Sequence, residues 1–220
     1  MSNKKVAVIL SGCGVYDGAE IHESVAALYA LENHNLEAVC VAPDVEQMHV
    51  INHLAGQPAE GEKRNVLVES ARIARGNIKA LTPGIVDEVD AVMLPGGFGA
   101  AKNLSSYAVD GPDMQVNPAV AETLKKANQS GKPIVALCIA PVILSALFKD
   151  NSPKLTLGAD TEHSQNLEKM GSKHQVTGHE EVVVDETLKL ITAPCYMLDA
   201  SVGQIIRGAE AAVVKLEQML

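Results

Sequence analysis

Cys138 is the residue best placed to act as a nucleophile. It follows the apolar run Pro133–Leu137 and precedes the helix-like segment Ala140–Phe148. A side chain on such a strand-to-helix turn is held at the carboxyl end of a strand and aims into the crevice above the sheet. The incoming helix offers unpaired N–H groups and the positive end of its dipole. Both favour a thiolate, so a lowered thiol pKa is predicted. The thiolate is the form of cysteine that attacks carbon. The competing reading is a small buried hydrophobe, the usual fate of a free cysteine.

Two glycine-rich stretches belong to the same argument. Pro95-Gly96-Gly97-Phe98-Gly99 follows the strand-like Ala91–Leu94. Glycines there let the backbone approach a ligand and aim N–H groups at a developing oxyanion. A tight structural turn would need the same residues, and the pattern is not the GxGxxG of a phosphate-binding loop. The second stretch, Gly12 to Glu23, supplies carboxyls. Glu20 and Glu23 are three residues apart and share one side of a helix. One could serve as a dipole partner while the other tips into the crevice, where a carboxyl beside a thiol can shuttle protons. Cys13 sits just after the first strand and reads either as a second thiol or as a packing residue. His22 flanks Glu23 and could approach the site. With Gly12, Asp17, Gly96 and Asn103, these residues form the set from which a pocket would be drawn. Cys40 falls inside a strand and is expected in the core, while Cys195 is left open. His163, His174 and His179 lie in polar stretches and are expected on the surface.

The elements that must position these groups alternate along the chain. Strands are predicted at Val6–Leu10, Glu37–Ala42, Ile78–Leu81, Ala91–Leu94, Pro133–Leu137, Val182–Val184 and Leu190–Thr192. Helices are predicted at Glu20–Leu31, Val66–Ala74, Asn117–Gln129, Ala140–Phe148 and Val202–Met219. In the first helix, Ile21, Val25, Leu28 and Leu31 form the apolar face. Residues 44–62 read as a surface loop, and as a possible lid or interface segment. Alternating strands and helices imply an α/β doubly wound, mostly parallel sheet over residues 1–220 as one domain.

Composition agrees and excludes some function classes. Of the 220 residues 47% are apolar and only 3% aromatic, with no Trp, so Val, Ile, Leu and Ala must build the core. That suits parallel strands buried on both faces. A net charge of −9 argues against a nucleic-acid partner. No run of 18 apolar residues suggests a membrane span. Met1–Lys5 runs straight into the first strand, and the chain is expected to be cytoplasmic with four free thiols. The seven His are scattered, and no metal site is expected.

Three segments carry a family resemblance: SGCGVYDGAEIHESV, VMLPGGFGAAKNLS and IVALCIAPVIL. They resemble the PfpI-like superfamily, which also holds the class I glutamine amidotransferase domains. VINHL, RNVLVESARIARG and TAPCYML extend the similarity toward the ElbB family of isoprenoid-biosynthesis amidotransferase-like proteins. The resemblance implies a flavodoxin-like fold with a nucleophile elbow. It implies Cys138 as nucleophile, Glu23 as the carboxylate hydrogen-bonded to it, and the N–H groups of Gly97 and Ile139 as oxyanion donors. It further implies a homodimeric glyoxalase acting on a small dicarbonyl without glutathione, metal or other cofactor. Two departures count against other activities of the superfamily. Ala193–Tyr196 lacks the His of glutaminase domains, and Ile139 stands where protease-like members have His. The Cys–His base logic is therefore absent. Two alternatives stay open: a redox-sensing or interaction protein with Cys13 as resolving thiol, and an amidotransferase-like protein without turnover.

Overall fold

Segments rich in Val, Ile and Ala and too short for helices become strands. They are β1 (Lys5–Ile9), β2 (Glu37–Ala42), β3 (Ile51–Asn52), β4 (Gln57–Pro58), β5 (Lys79–Ala80), β6 (Ala91–Leu94), β7 (Ile134–Leu137), β8 (Lys154–Leu155), β9 (Lys173–His174), β10 (Val183–Asp185) and β11 (Leu190–Ala193). The helices are α1 (Ile21–Asn33), α2 (Val66–Ile73), α3 (Phe98–Lys102), α4 (Tyr107–Asp110), α5 (Pro118–Gln129), α6 (Pro141–Phe148), α7 (Glu162–Lys169) and α8 (Val202–Glu217). The computed structural model describes residues 4–220. The expectation for Met1, Ser2 and Asn3 lies outside them.

Seven strands form the central sheet in the order β10-β11-β7-β6-β1-β2-β5. Every pair is parallel except β10 with β11, so Val183–Asp185 is an antiparallel edge. β6, β7 and β11 are buried at every position, and Val6–Ile9 of β1 likewise. Continuous burial requires helices on both faces, which is the doubly wound, flavodoxin-like arrangement. Each wholly buried Val, Leu or Ile contributes about 1.5–3 kcal/mol by leaving water. The chain repeatedly returns to the carboxyl ends of neighbouring strands β1, β6, β7 and β11, and there the candidate residues meet.

Helix α1 departs from its predicted phase. Ile21 and Val25 are 44% and 53% exposed, and the inner face carries Glu23, Ser24, Ala26, Ala27, Ala30 and Leu31. The reason is the partner helix. α1 packs against α8, whose buried side holds Gly208, Ala209 and Ala212. Small residues on both sides let the two backbones approach closely, and Ile21 and Val25 stay outside the contact. This rotation carries the carboxyl of Glu23 into the protein.

Three other segments differ from expectation. Residues 44–62 hold the β3–β4 hairpin, tied back by the Glu46–Asn65 bridge. Between β7 and β10, α7 lies between β8 and β9, which form a parallel pair. The glycine-rich turn after β6 passes at once into α3.

Candidate active site

The turn after β7 is an elbow. Cys138 has φ +58°, the left-handed region that β-carbon-bearing residues seldom occupy. Its N–H donates to the Ala193 carbonyl at 3.0 Å, which ties the elbow to β11. Gly96, at the end of β6, lies directly against it. A Cβ on Gly96 would come within 2.6 Å of Glu23 Oε2 and 2.8 Å of Cys138 Sγ. Glycine at 96 is therefore required for the thiol and the carboxyl to share one space. Gly97 follows with φ +94°, and its N–H points at the Cys138 sulfur.

Glu23 is fully buried. Its Oε2 accepts from the Gly96 N–H at 3.0 Å and its Oε1 from the Tyr196 N–H at 3.1 Å. The Cys138 sulfur lies beside the same carboxyl, both packed against Gly96. Burial pushes the Glu23 pKa up to about 7, with the charge of Glu20 adding to it and the hydrogen-bond donors opposing it. Glu20 stands at the cap of α1, where its Oε2 accepts from the Glu23 N–H at 2.7 Å.

The expected low thiol pKa is corrected. Burial, and then the neighbouring Glu23 charge, push the Cys138 thiol well above its ordinary value. The Gly97 N–H opposes them without reversing the sign. The resting nucleophile is thus a neutral thiol beside a carboxyl that titrates near neutrality. Cys195, left open by the sequence, proves to be a neighbour: it is buried, has φ +44°, and stands two residues beyond Ala193, whose carbonyl takes the Cys138 N–H.

A cavity of about 400 Å³ opens above Cys138. Gly97, Ile139 and Glu20 line it together with Cys138, while Gly96 and Glu23 form the layer behind. His22 is exposed and reaches the rim indirectly, with Nδ1 2.8 Å from the hydroxyl of lining residue Tyr196.

Four of the pocket candidates are elsewhere. Gly12 N–H donates to Ser70 Oγ at 2.8 Å. Asp17 Oδ2 accepts from the Ile51 N–H at 2.7 Å, and Asn103 Oδ1 accepts from the Met48 N–H at 3.0 Å. Cys13 has Arg72, Glu69 and Asp17 as its charged neighbours. These polar groups pin α2 and the 44–62 segment to the sheet, so they are not free to face a ligand.

The sequence missed the far wall. Tyr107, His163 and Asn166 line the cavity, His163 in place of its expected surface role. No short motif marks them, because α4 and α7 are brief helices in polar sequence. His174, also expected on the surface, is instead packed inward and accepts from the Leu157 N–H at 3.1 Å. Among the described residues no cluster of three or more His, Cys, Asp or Glu side chains could hold a metal ion, and no helix is long and apolar enough to cross a membrane.

Fold and site together define an α/β protein with a cysteine on an elbow and a buried glutamate beside it. The chain belongs to the DJ-1/PfpI family, whose profile matches residues 4–196. It is 45% identical to the human glutamine amidotransferase-like class 1 domain-containing protein 3, mitochondrial, over 98% of this chain and 83% of that protein. Zebrafish ES1 protein, mitochondrial, is 32% identical over 89% of this chain and 77% of its own length. The crystal structure of an isoprenoid biosynthesis protein with an amidotransferase-like domain from Ehrlichia chaffeensis superposes with a TM-score of 0.89. It is 34% identical, with 98% of this chain and all of that one covered. A glyoxalase III from Candida albicans shares the fold at a TM-score of 0.59 and 13% identity, over 96% of this chain and 97% of its own. The expectation of a cytoplasmic protein is overturned by the human, rat and zebrafish relatives, all of which are named as mitochondrial.

Proposed function

We propose that the protein is a cofactor-independent glyoxalase of the ElbB branch of its family, converting glyoxal or methylglyoxal to the 2-hydroxy acid. The observation that carries this reading is the Cys138 thiol packed with a buried carboxyl, Glu23, against Gly96, the carboxyl having its pKa raised to about 7. A carboxyl poised near the working pH can take a proton in one step and return it in the next.

The steps follow from that pair. Ionised Glu23 takes the thiol proton as sulfur attacks an aldehyde carbon, forming the S–C bond. The oxyanion lies against the N–H groups of Gly97 and Ile139 and takes the proton back from Glu23, giving a hemithioacetal and leaving Glu23 ionised. Glu23 then removes the proton from the carbon now bonded to sulfur, giving an enediol, and returns it to the neighbouring carbon. The first carbon is oxidised to a thioester and the second is reduced to an alcohol. Water cleaves the thioester, releasing glycolate (or lactate) and the thiol. No external oxidant or reductant is consumed. In this reading each chain is one domain, needs neither metal nor glutathione, and works as a homodimer. The same fold in the Candida albicans glyoxalase III and the likeness to the Ehrlichia chaffeensis protein support it.

The test is to incubate the purified protein with glyoxal and quantify glycolate. Wild-type glycolate formation that is abolished in Cys138→Ala and lowered about 100-fold or more in Glu23→Gln is expected for a nucleophile with a proton-transfer partner. Glycolate no higher than in a protein-free blank overturns the reading.

A further inference from the structure

The cavity above Cys138 is larger than a glyoxalase for glyoxal requires. Glyoxal displaces the volume of two or three waters, roughly 60–90 Å³, whereas the cavity is about 400 Å³. Its side walls are apolar: Val15, Phe98, Val109, Ile139 and Met197 face the space, and Phe98 and Val109 stay 49% and 69% exposed. Exposed apolar side chains around a preformed site gain by covering themselves with a ligand.

Charge narrows the ligand further. Glu20 and Glu162 line the cavity, and no Lys or Arg does. Lys102 stands over the Phe98 ring at 5.3 Å, but its ammonium donates to the Tyr16 carbonyl at 2.8 Å. A carboxylate or phosphate on the substrate would meet two acids and no unengaged cation. An uncharged molecule avoids both penalties.

The far wall then offers one directed polar contact. Asn166 Oδ1 accepts from Lys169 Nζ at 3.2 Å, which fixes the amide so that its Nδ2 donates to the Tyr107 hydroxyl at 3.2 Å. That hydroxyl lies 2.9 Å from His163 Nδ1. When the hydroxyl gives its hydrogen to Nδ1, the imidazole carries its own on Nε2 as a donor. Tyr107 and Asn166 act as positioning residues for His163, which faces the cavity shared with Cys138.

We infer, on the glyoxalase reading above, that the preferred substrate is an uncharged α-oxoaldehyde bearing an apolar group of phenyl size or larger, with a hydrogen-bond acceptor at its far end for His163. Its aldehyde carbon meets Cys138, its apolar group lies along Phe98, Val109 and Met197, and its far end reaches His163. For phenylglyoxal the balance is that of the smaller substrate: the aldehyde carbon is oxidised, the ketone carbon is reduced, and one water gives mandelate.

The experiment measures kcat/KM for glyoxal, phenylglyoxal, 4-methoxyphenylglyoxal and 4-carboxyphenylglyoxal with wild type, Val109→Trp and His163→Phe. Wild type should prefer phenylglyoxal to glyoxal by at least about tenfold, since even one methylene in an apolar pocket is worth that much. The carboxylated analogue should fall at least about tenfold below phenylglyoxal, by repulsion from the two acids. Val109→Trp should shrink the phenylglyoxal-to-glyoxal ratio. His163→Phe should remove the advantage of the methoxy compound over phenylglyoxal. Turnover of glyoxal with phenylglyoxal no better overturns the substrate class and leaves the glyoxalase reading standing. Preference for the carboxylated analogue overturns the charge argument, and so the inference. Absence of turnover for every dicarbonyl overturns the glyoxalase reading, and the inference with it. Turnover of the aryl substrates alone supports the substrate class and overturns glyoxal and methylglyoxal as the substrates.

Discussion

Cys13 and Cys138 occupy equivalent-looking places, each just beyond a central parallel strand in a sequence that offers glycines and a coming helix. Their surroundings differ in kind. Cys13 is half-buried, and its charged neighbours are Arg72, Glu69 and Asp17, the last of which holds Ile51 of the 44–62 segment. Cys138 is buried and shares its space with a carboxyl from α1, a glycine from β6 and a second thiol beyond β11. Both thiols are pushed above the ordinary range by burial, so a depressed pKa does not distinguish them. What distinguishes Cys138 is a buried carboxyl packed beside it at Gly96. The difference teaches that position after a strand selects candidates, and the neighbouring strands select among them.

The sharpest way to break this comparison is to remove each thiol. Cys138→Ala should lower turnover of glyoxal by at least about 1,000-fold, because the covalent route is lost. Cys13→Ala should keep it within a few-fold of wild type. Equal losses in the two variants would erase the distinction. Next in size is Gly96→Ala. Its methyl group would force Glu23 and Cys138 apart, so activity should fall about 100-fold, with a destabilisation of about 1–3 kcal/mol from overpacking. A variant as active as wild type would show that the pair need not touch.

Glu23 gives a smaller effect with a definite sign. Its pKa is raised from 4.5 to about 7 in the folded state. The folded chain therefore binds the proton more tightly, so this contribution to stability is complete below pH 4.5 and is lost as pH rises through about 7. Its size is up to about 3 kcal/mol. Glu23→Gln should accordingly gain relative to wild type when denaturation midpoints are compared at rising pH between 5 and 8. A difference that does not change with pH would mean that Glu23 titrates normally. Turnover should rise through the same range as Glu23 becomes ionised.

The smallest effect concerns reactivity. At pH 8, iodoacetamide should label Cys13 several-fold faster than Cys138, because the first is the more exposed thiol. Protein alkylated at Cys13 should retain activity. Faster labelling of Cys138, followed by peptide mass spectrometry, would show that its thiol is activated at rest.

Much of the fold was legible. β1, β2, β6, β7 and β11 stand where apolar runs of Val, Ile, Leu and Ala predicted them, within a residue or so. A buried parallel strand needs such a run whatever its neighbours are, so the signal is local. The misreadings came where packing overrode the pattern. Of the apolar face predicted for α1, Ile21, Val25, Leu28 and Leu31, only Leu31 is fully buried, because the packed side of the helix carries Ala, Ser and Glu23 instead. The β3–β4 hairpin has two-residue strands, too short to leave a period. α7 was passed over because its Thr161 cap precedes a stretch of polar residues.

The sequence by itself determined the alternation of strands and helices, the glycines after β6, and the presence of a cysteine at the β7 turn. These depend on local propensity and on a few residues of contiguous chain. Only the tertiary structure decided which carboxyl meets Cys138, which thiol lies beside it, and which wall closes the cavity. Those residues come from positions 23, 96, 138, 163 and 195, and only strand order and helix packing bring them together. The pKa of Glu23 has the same origin, because it is set by how completely the assembled protein excludes water from a carboxyl group.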